Sequence, residues 1–262
     1  KAATFGRGVW ESDLHTAPSA ISDFDRELFS VYPNPVEDKL IVKTPFGQKN
    51  FLLKIYSLTG QLVLEINLEN DANCFALSEA VDGAGKGHPV VFGVILGTGV
   101  GGGIIINQKV LQGRNKISGE WGHITLPNRT EDEKKYNKKC YCKKEGCMET
   151  YLSGPGFASI YNLRHNANLD SHEIINGYPG DQKSLVALEN YVDHLARGLS
   201  VVINILDPDI IVLGGGMSNV DYIYANINDQ LKQYVFTDTC HTKVVKNFHG
   251  DSGGVRGAAW LS

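Results

Sequence analysis

The pattern of hydrophobic and polar positions changes texture twice along the chain. Residues 1–27 (KAATFGRGVWESDLHTAPSAISDFDRE) hold neither a two-residue nor a 3.6-residue period, which predicts loop or weakly ordered chain. From Lys39 the runs KLIVKT, FLLKIYSL and QLVLEINL predict three β-strands, separated by the turn residues Pro45-Phe46-Gly47 and Thr59-Gly60. After Leu68 the texture changes again. ANCFALSEAV has apolar residues at helical spacing, and VVFGVIL followed by IIIN predicts two strands about a glycine turn. A helical stretch is expected from Cys147 through Tyr161. Residues 184–206 form a long amphipathic pattern, with Leu185, Leu188, Val192, Leu195, Leu199 and Val202 along one face. Asp207-Pro208 ends that helix, IIVL reads as a short buried strand, and HGDSGGVRGAAWL reads as a turn into a last helix. The pattern divides the chain into an irregular segment 1–27, a β-rich segment 28–68 and a region 69–262 whose alternating strands and helices predict an α/β fold.

Composition narrows the class of partner more than the fold. Of 262 residues, 42% are hydrophobic and 21% charged, as in ordinary globular chains. A net charge of −4 argues against nucleic acid or an anionic membrane as partner. No apolar run approaches the roughly 18 residues of a membrane span. The sequence starts at Lys1 without an initiator Met or an export leader, so a fragment, processed form or fusion with a cytoplasmic location is expected. Cysteine use points the same way. Cys140, Cys142 and Cys147 cluster while Cys74 and Cys240 stand alone, which suits a metal site in a reducing compartment better than a disulfide framework.

Three constellations carry candidate chemistry. The run Leu96–Gly103 (LGTGVGGG) lies between apolar strands. Its glycines let backbone N–H groups converge on an anion, with the Thr98 hydroxyl as a further donor, or they serve only a tight hairpin. Gly214-Gly215-Gly216 and Gly253-Gly254 repeat the theme between a strand and a helix, and three such turns favour a nucleotide. In Asn70-Asp71-Ala72-Asn73, Asp71 reads either as a helix cap or as a general base for a hydroxyl attacking a phosphate. The third constellation, 119–149, joins Gly119-Glu120-Trp121-Gly122-His123 to the three clustered cysteines. One His and three Cys fit a closed tetrahedral zinc site of the structural kind, with the second His123 nitrogen left for another partner. The lysines at 134, 135, 138, 139, 143 and 144 read as a solvated face, because no reading helix or base-stacking aromatics accompany them.

Taken in order, ENDAN, LGTGVGGG, GEWGH, CYCKKEGCMET, DPDIIVLGGG and HGDSGGVRGAAWL resemble the ROK family (repressors, open reading frames, kinases) across about three-quarters of the chain. Within it the chain looks most like bacterial fructokinase/mannokinase enzymes. The N-acetylglucosamine kinases, which share ENDANCFALSEA, are the alternative. The resemblance implies an actin-like fold of two ribonuclease-H-type α/β domains, often as a homodimer, here with an incomplete or replaced N-terminal domain. It implies ATP-dependent phosphorylation of a hexose 6-hydroxyl, of fructose or mannose, with magnesium accompanying ATP. Asp71 would be the catalytic base, and Asn70, Glu120, His123 and Glu149 would hold the other sugar hydroxyls. Structural zinc would sit on His123, Cys140, Cys142 and Cys147. Gly97, Thr98 and Gly99 would contact phosphates, and Gly214, Gly215 and Gly216 the adenosine side.

The N-terminal part departs from this pattern. No Asp-x-Gly-Gly-Thr loop, which would position ATP phosphates and magnesium, precedes Asn70. Instead LFSVYPNPVEDKLIVKTPFGQKNFLLKIYSLTGQLVLE resembles the first half of a type IX secretion sorting domain, which brings in a secreted alternative. The same β-runs also read as the first strands of the kinase domain, with Lys43-Thr44-Pro45-Phe46-Gly47 at the phosphate-loop position but without its Asp. On either reading kinase turnover is expected to be reduced or absent. A sugar-binding regulator and a non-catalytic remnant are the alternatives of another class.

Overall fold

A computed structural model describes residues 30–32, 41–43, 51–56 and 62–261. The expectations for residues 1–27, for the turns at 45–47 and 59–60, and for a phosphate loop at 43–47 fall wholly or mostly outside these residues. In chain order the elements are β1 (Ser30–Tyr32), β2 (Ile41–Lys43), β3 (Phe51–Tyr56), β4 (Leu62–Leu68), α1 (Asp71–Asp82), β5 (Val90–Leu96), β6 (Val100–Ile106), β7 (Lys109–Val110), α2 (Glu131–Lys135), α3 (Glu149–Leu152), α4 (Gly154–His165), α5 (Ser171–Gly177), α6 (Gln182–Leu206), β8 (Ile210–Gly214), α7 (Asp221–Leu231), β9 (Lys243–Lys246) and α8 (Gly253–Trp260). The chain divides into two compact units, 1–71 with 258–262, and 72–257.

In the first unit the predicted β-runs form strands β2, β3 and β4. β1 pairs antiparallel with β2, and β3 pairs antiparallel with β4, with a register irregularity at Ile55/Tyr56.

The second unit is built on a five-stranded mixed sheet of order β7-β6-β5-β8-β9. β5, β6 and β7 form an antiparallel meander, whereas β8 and β9 run parallel to β5. The apolar runs of β5 and β8 explain their central place, because strands covered on both faces carry no alternation. The glycine run does not act as one turn. The turn is Gly97–Gly99 alone, and Gly101–Gly103 lie inside β6. They are there because two backbones press on the strand. A Cβ on Gly103 would stand 2.5 Å from the Ala72 carbonyl oxygen of α1, and one on Gly102 would stand 2.8 Å from the Gly119 carbonyl oxygen on the opposite face. Helix α1 is consequently buried continuously from Ala72 to Ala80.

The other face of the sheet carries the helical core. α6 starts at Asp181, whose carboxylate accepts the Lys183 and Ser184 N–H groups, and stops at Asp207 in the left-handed conformation. Its Leu188, Val192, Leu195 and Leu199 are buried as predicted, in one cluster with Trp121, Met148, Tyr151 and Leu152. The helix expected from Cys147 to Tyr161 is two helices. Ser153 leaves the helical region (φ −72, ψ 153) and caps α4 by accepting the Gly156 N–H, so the chain turns between α3 and α4. No helix among the described residues is long and apolar enough to cross a membrane.

Candidate functional site

Two glycine turns meet at the C-terminal ends of β5 and β8, the adjacent parallel strands of the sheet. That edge is where open α/β sheets bind ligands. In the first turn the Gly97 N–H donates to the Gly99 carbonyl (3.0 Å), and the Gly97 carbonyl accepts from Gly154 at the start of α4 (2.9 Å), leaving Thr98 exposed. In the second, Gly215 has φ +81, and a Cβ there would lie 2.6 Å from the Leu96 carbonyl oxygen. The Gly214–Gly216 turn is therefore seated directly on the end of β5. A Cβ on Gly216 would meet nothing within 4 Å, so room is left above it.

The predicted metal residues come together. The segment Ile124–Leu126 runs antiparallel to Gly146–Met148, held by Leu126 N–H to Gly146 (2.8 Å) and Met148 N–H to Ile124 (2.9 Å), which brings His123 beside Cys147. A tight knuckle, Cys140 N–H to Lys144 (3.1 Å) and Lys143 N–H to Cys140 (2.9 Å), places the other two thiols. His123 Nδ1 lies 3.6 Å from Cys140 Sγ, and Cys142 Sγ lies 3.5 Å from Cys147 Sγ. All four ligand atoms fall within 4.8 Å of one another. A tetrahedron with Zn–S bonds of about 2.3 Å has edges of roughly 3.8 Å, so the donor set fits a zinc-sized cation. Burial pushes the Cys147 thiol up to about 12 and raises Cys140 as well, while the Lys144 N–H lowers Cys142.

Glu149, the first residue of α3, connects this cluster with the first glycine turn. Its Oε2 accepts the Val100 N–H at 3.1 Å, and its Oε1 lies 3.8 Å from the Cys140 thiol. Glu120 immediately precedes the short helical turn Trp121–His123 and is partly buried. Asn70 precedes α1. Asp71 is its first helical residue rather than its cap, where a carboxylate also favours the helix dipole.

Three supports were not anticipated from the sequence. Glu79, wholly buried on α1, accepts the N–H groups of Ala84 (2.9 Å), Phe248 (3.1 Å) and His249 (3.2 Å). One turn further on, Asp82 holds His249 Nε2 (2.8 Å) and the Arg256 guanidinium, so the turn before α8 is fixed to α1. The second support is a charged group between the metal loop and α6. Glu133 binds His194 Nε2 (2.9 Å) and Arg197, and Arg197 also reaches Asp193 (2.9 Å) and the carbonyls of Pro127 (3.0 Å) and Asn128 (3.1 Å). Burial pushes the Glu133 carboxyl up, but hydrogen bonds from His194 and Arg197 more than offset this and hold it well below the usual range. The capping box Thr130-x-x-Glu133 was the readable signal for α2. Third, Tyr141 of the knuckle places its hydroxyl 2.8 Å from His123 Nε2. The lysines of the run are exposed, with Lys134 paired to Glu131 (2.6 Å) and Lys139 to Glu145 (3.6 Å).

Comparison with known proteins places this geometry among relatives. The ROK family model matches residues 35–262. The match takes in most of the segment likened to a sorting domain, and that likeness gains no support. N-acetyl-D-glucosamine kinases from Yersinia enterocolitica and Escherichia coli are each 42% identical over 208 residues, covering 78% of this chain and 69% of theirs. Among solved structures, a ROK hexokinase from Thermus thermophilus superposes with a TM-score of 0.66 at 28% identity, over 73% of this chain and 63% of that one. A ROK family glucokinase from Streptomyces griseus, solved with glucose and AMPPNP, gives 0.66 and 28% over 75% and 67%. The chain thus spans about two-thirds of the length of each. The fold is the expected α/β one of the actin-like, ribonuclease-H-like kind, with the meander and parallel strands described above.

Proposed function

Because the chain belongs to the ROK family, we propose that it carries the acceptor and phosphate-handling elements of an ATP-dependent sugar kinase acting on the 6-hydroxyl of N-acetyl-D-glucosamine. The observation that carries the reading is Glu149, whose carboxylate bonds the Val100 N–H directly after the glycine turn on one side and meets the Cys/His cluster on the other. A sugar held at Glu149 would thereby be fixed relative to the turn that receives phosphate. The identity of 42% to two N-acetyl-D-glucosamine kinases favours the amino sugar over fructose or mannose.

In this reading Asn70, Glu120, His123 and Glu149 hold sugar hydroxyls. Asp71 accepts the 6-hydroxyl proton as the sugar oxygen bonds to the γ-phosphorus, and the bond from that phosphorus to the ADP oxygen breaks. Gly97, Thr98 and Gly99 offer backbone and hydroxyl donors to the phosphates, and Gly214, Gly215 and Gly216 border the adenosine side. Magnesium supplied with ATP neutralises phosphate charge. Zinc on His123, Cys140, Cys142 and Cys147 would fix the His123 ring and the knuckle, a structural role because four protein ligands leave no open position.

The test is ADP release with ATP, magnesium and a panel of N-acetylglucosamine, glucose, mannose and fructose. Release dependent on N-acetylglucosamine and abolished by Asp71→Asn supports the reading. The rate is to be set against the roughly 1–100 s⁻¹ of typical kinases. Release with fructose and not with the amino sugar contradicts the sugar assignment. Absence of release with every sugar contradicts the activity and favours a non-catalytic sugar-binding role.

A further inference from the structure

We propose that Tyr141 is a latch on the sugar site, its hydroxyl holding the place of a sugar hydroxyl until substrate displaces it. The inference rests on the reading above in which Glu120, His123 and Glu149 bind the sugar.

The backbone of Tyr141 is fixed by the Cys140–Lys144 knuckle, but its side chain is 76% exposed and belongs to no core cluster. The ring nevertheless stands edge-on to the His123 imidazole, at 5.0 Å between centroids and 86° between planes, and the hydroxyl lies 2.8 Å from Nε2. The phenol oxygen therefore occupies the outward hydrogen-bonding position of His123, one of the residues assigned to the sugar.

The chemistry of His123 makes the two occupants exclusive. Nδ1 faces Cys140 Sγ, the metal side, at 3.6 Å. A neutral imidazole that gives Nδ1 to a cation keeps its proton on Nε2, which then donates one hydrogen bond outward. That single donor serves either the tyrosine oxygen or a sugar oxygen. An exposed side chain can rotate to solvent without opening the core, so displacement requires little more than exchange of this hydrogen bond. The closed population lowers the apparent sugar affinity in proportion.

The experiment is titration calorimetry of N-acetyl-D-glucosamine into the zinc-loaded full chain and into Tyr141→Phe, with zinc content measured for both. Phenylalanine keeps the edge-on ring and removes the competing oxygen. The expected result is unchanged zinc and sugar binding tighter by about two- to tenfold, the range set by one net hydrogen bond. A Tyr141→Ala variant, which removes the ring as well, is expected to bind at least as tightly as Tyr141→Phe. Unchanged or weaker binding in Tyr141→Phe, with the wild-type chain binding sugar, overturns the latch and leaves the sugar site standing. Binding in none of the proteins overturns the sugar site itself and the latch with it.

Discussion

Glu149 accepts the Val100 N–H at 3.1 Å, and this one bond joins the first residue of a helix behind the cysteine cluster to the first residue of the strand that follows the glycine turn. The second carboxylate oxygen faces Cys140. A single side chain thus sets the distance between the two halves of the proposed site within residues 72–257.

Glu149→Gln keeps an acceptor for Val100 but removes the charge that would receive a sugar hydroxyl. Hydrogen bonds to charged groups contribute about 1.5–3 kcal/mol, so sugar affinity is expected to fall roughly 10- to 100-fold with the fold retained. Calorimetry together with a thermal melt checks both halves of this statement.

The Glu133–Arg197 pair bears on stability. Their side chains are 13% and 5% exposed, and breaking a buried pair by removing one partner costs about 3–5 kcal/mol. Arg197→Ala is expected to lose that much in urea denaturation at neutral pH. Because the folded Glu133 carboxyl is held below its ordinary 4.5, its contribution is complete above that value and is lost as pH falls through the lower folded value. The wild-type urea midpoint should accordingly drop below about pH 4.5, and Glu133→Gln should flatten that part of the curve.

Two glycines of the glycine-rich turns and strand should respond differently to alanine. Gly103→Ala places a Cβ 2.5 Å from the Ala72 carbonyl oxygen, and such overpacking costs about 1–3 kcal/mol. Its melting temperature should fall. Gly216→Ala meets nothing within 4 Å and should melt within error of the wild-type chain, while weakening ATP binding if that turn borders the nucleotide. Differential scanning fluorimetry with and without ATP separates the two effects.

Zinc is expected at one ion per chain, and Cys147→Ser should lose it. Because burial raises the Cys140 and Cys147 thiols, they hold protons until a cation displaces them. Loading metal into weakly buffered apoprotein should therefore release roughly two to three protons per ion, measurable by an indicator dye.

The central strands and α6 were legible because their apolar patterns are long: VVFGVIL, IIVL and the α6 stripe have no competing reading. The edge strands were not. β9 offers only Val244 and Val245 between lysines, and β7 is two residues long. α7 buries Ile223, Ile227 and Leu231 at four-residue spacing, a stripe too narrow to stand out among Asn and Asp. Within the site, the His and Cys residues declared themselves by type. The Glu149–Val100 bond and the Tyr141–His123 contact did not, since both depend on how the chain folds back at Ser153 and at the knuckle. The role of Gly101–Gly103 was also hidden, because close approach by α1 and by Gly119 is a tertiary demand with no local signature.

Competitive equilibrium binding of N-acetyl-D-glucosamine, glucose and fructose to the zinc-loaded chain, alongside Glu149→Gln, probes the sugar site directly. Saturable binding is expected, with preference for N-acetyl-D-glucosamine and a loss of at least tenfold in the variant. Preference for fructose, or binding unaffected by Glu149→Gln, would contradict the proposed sugar site.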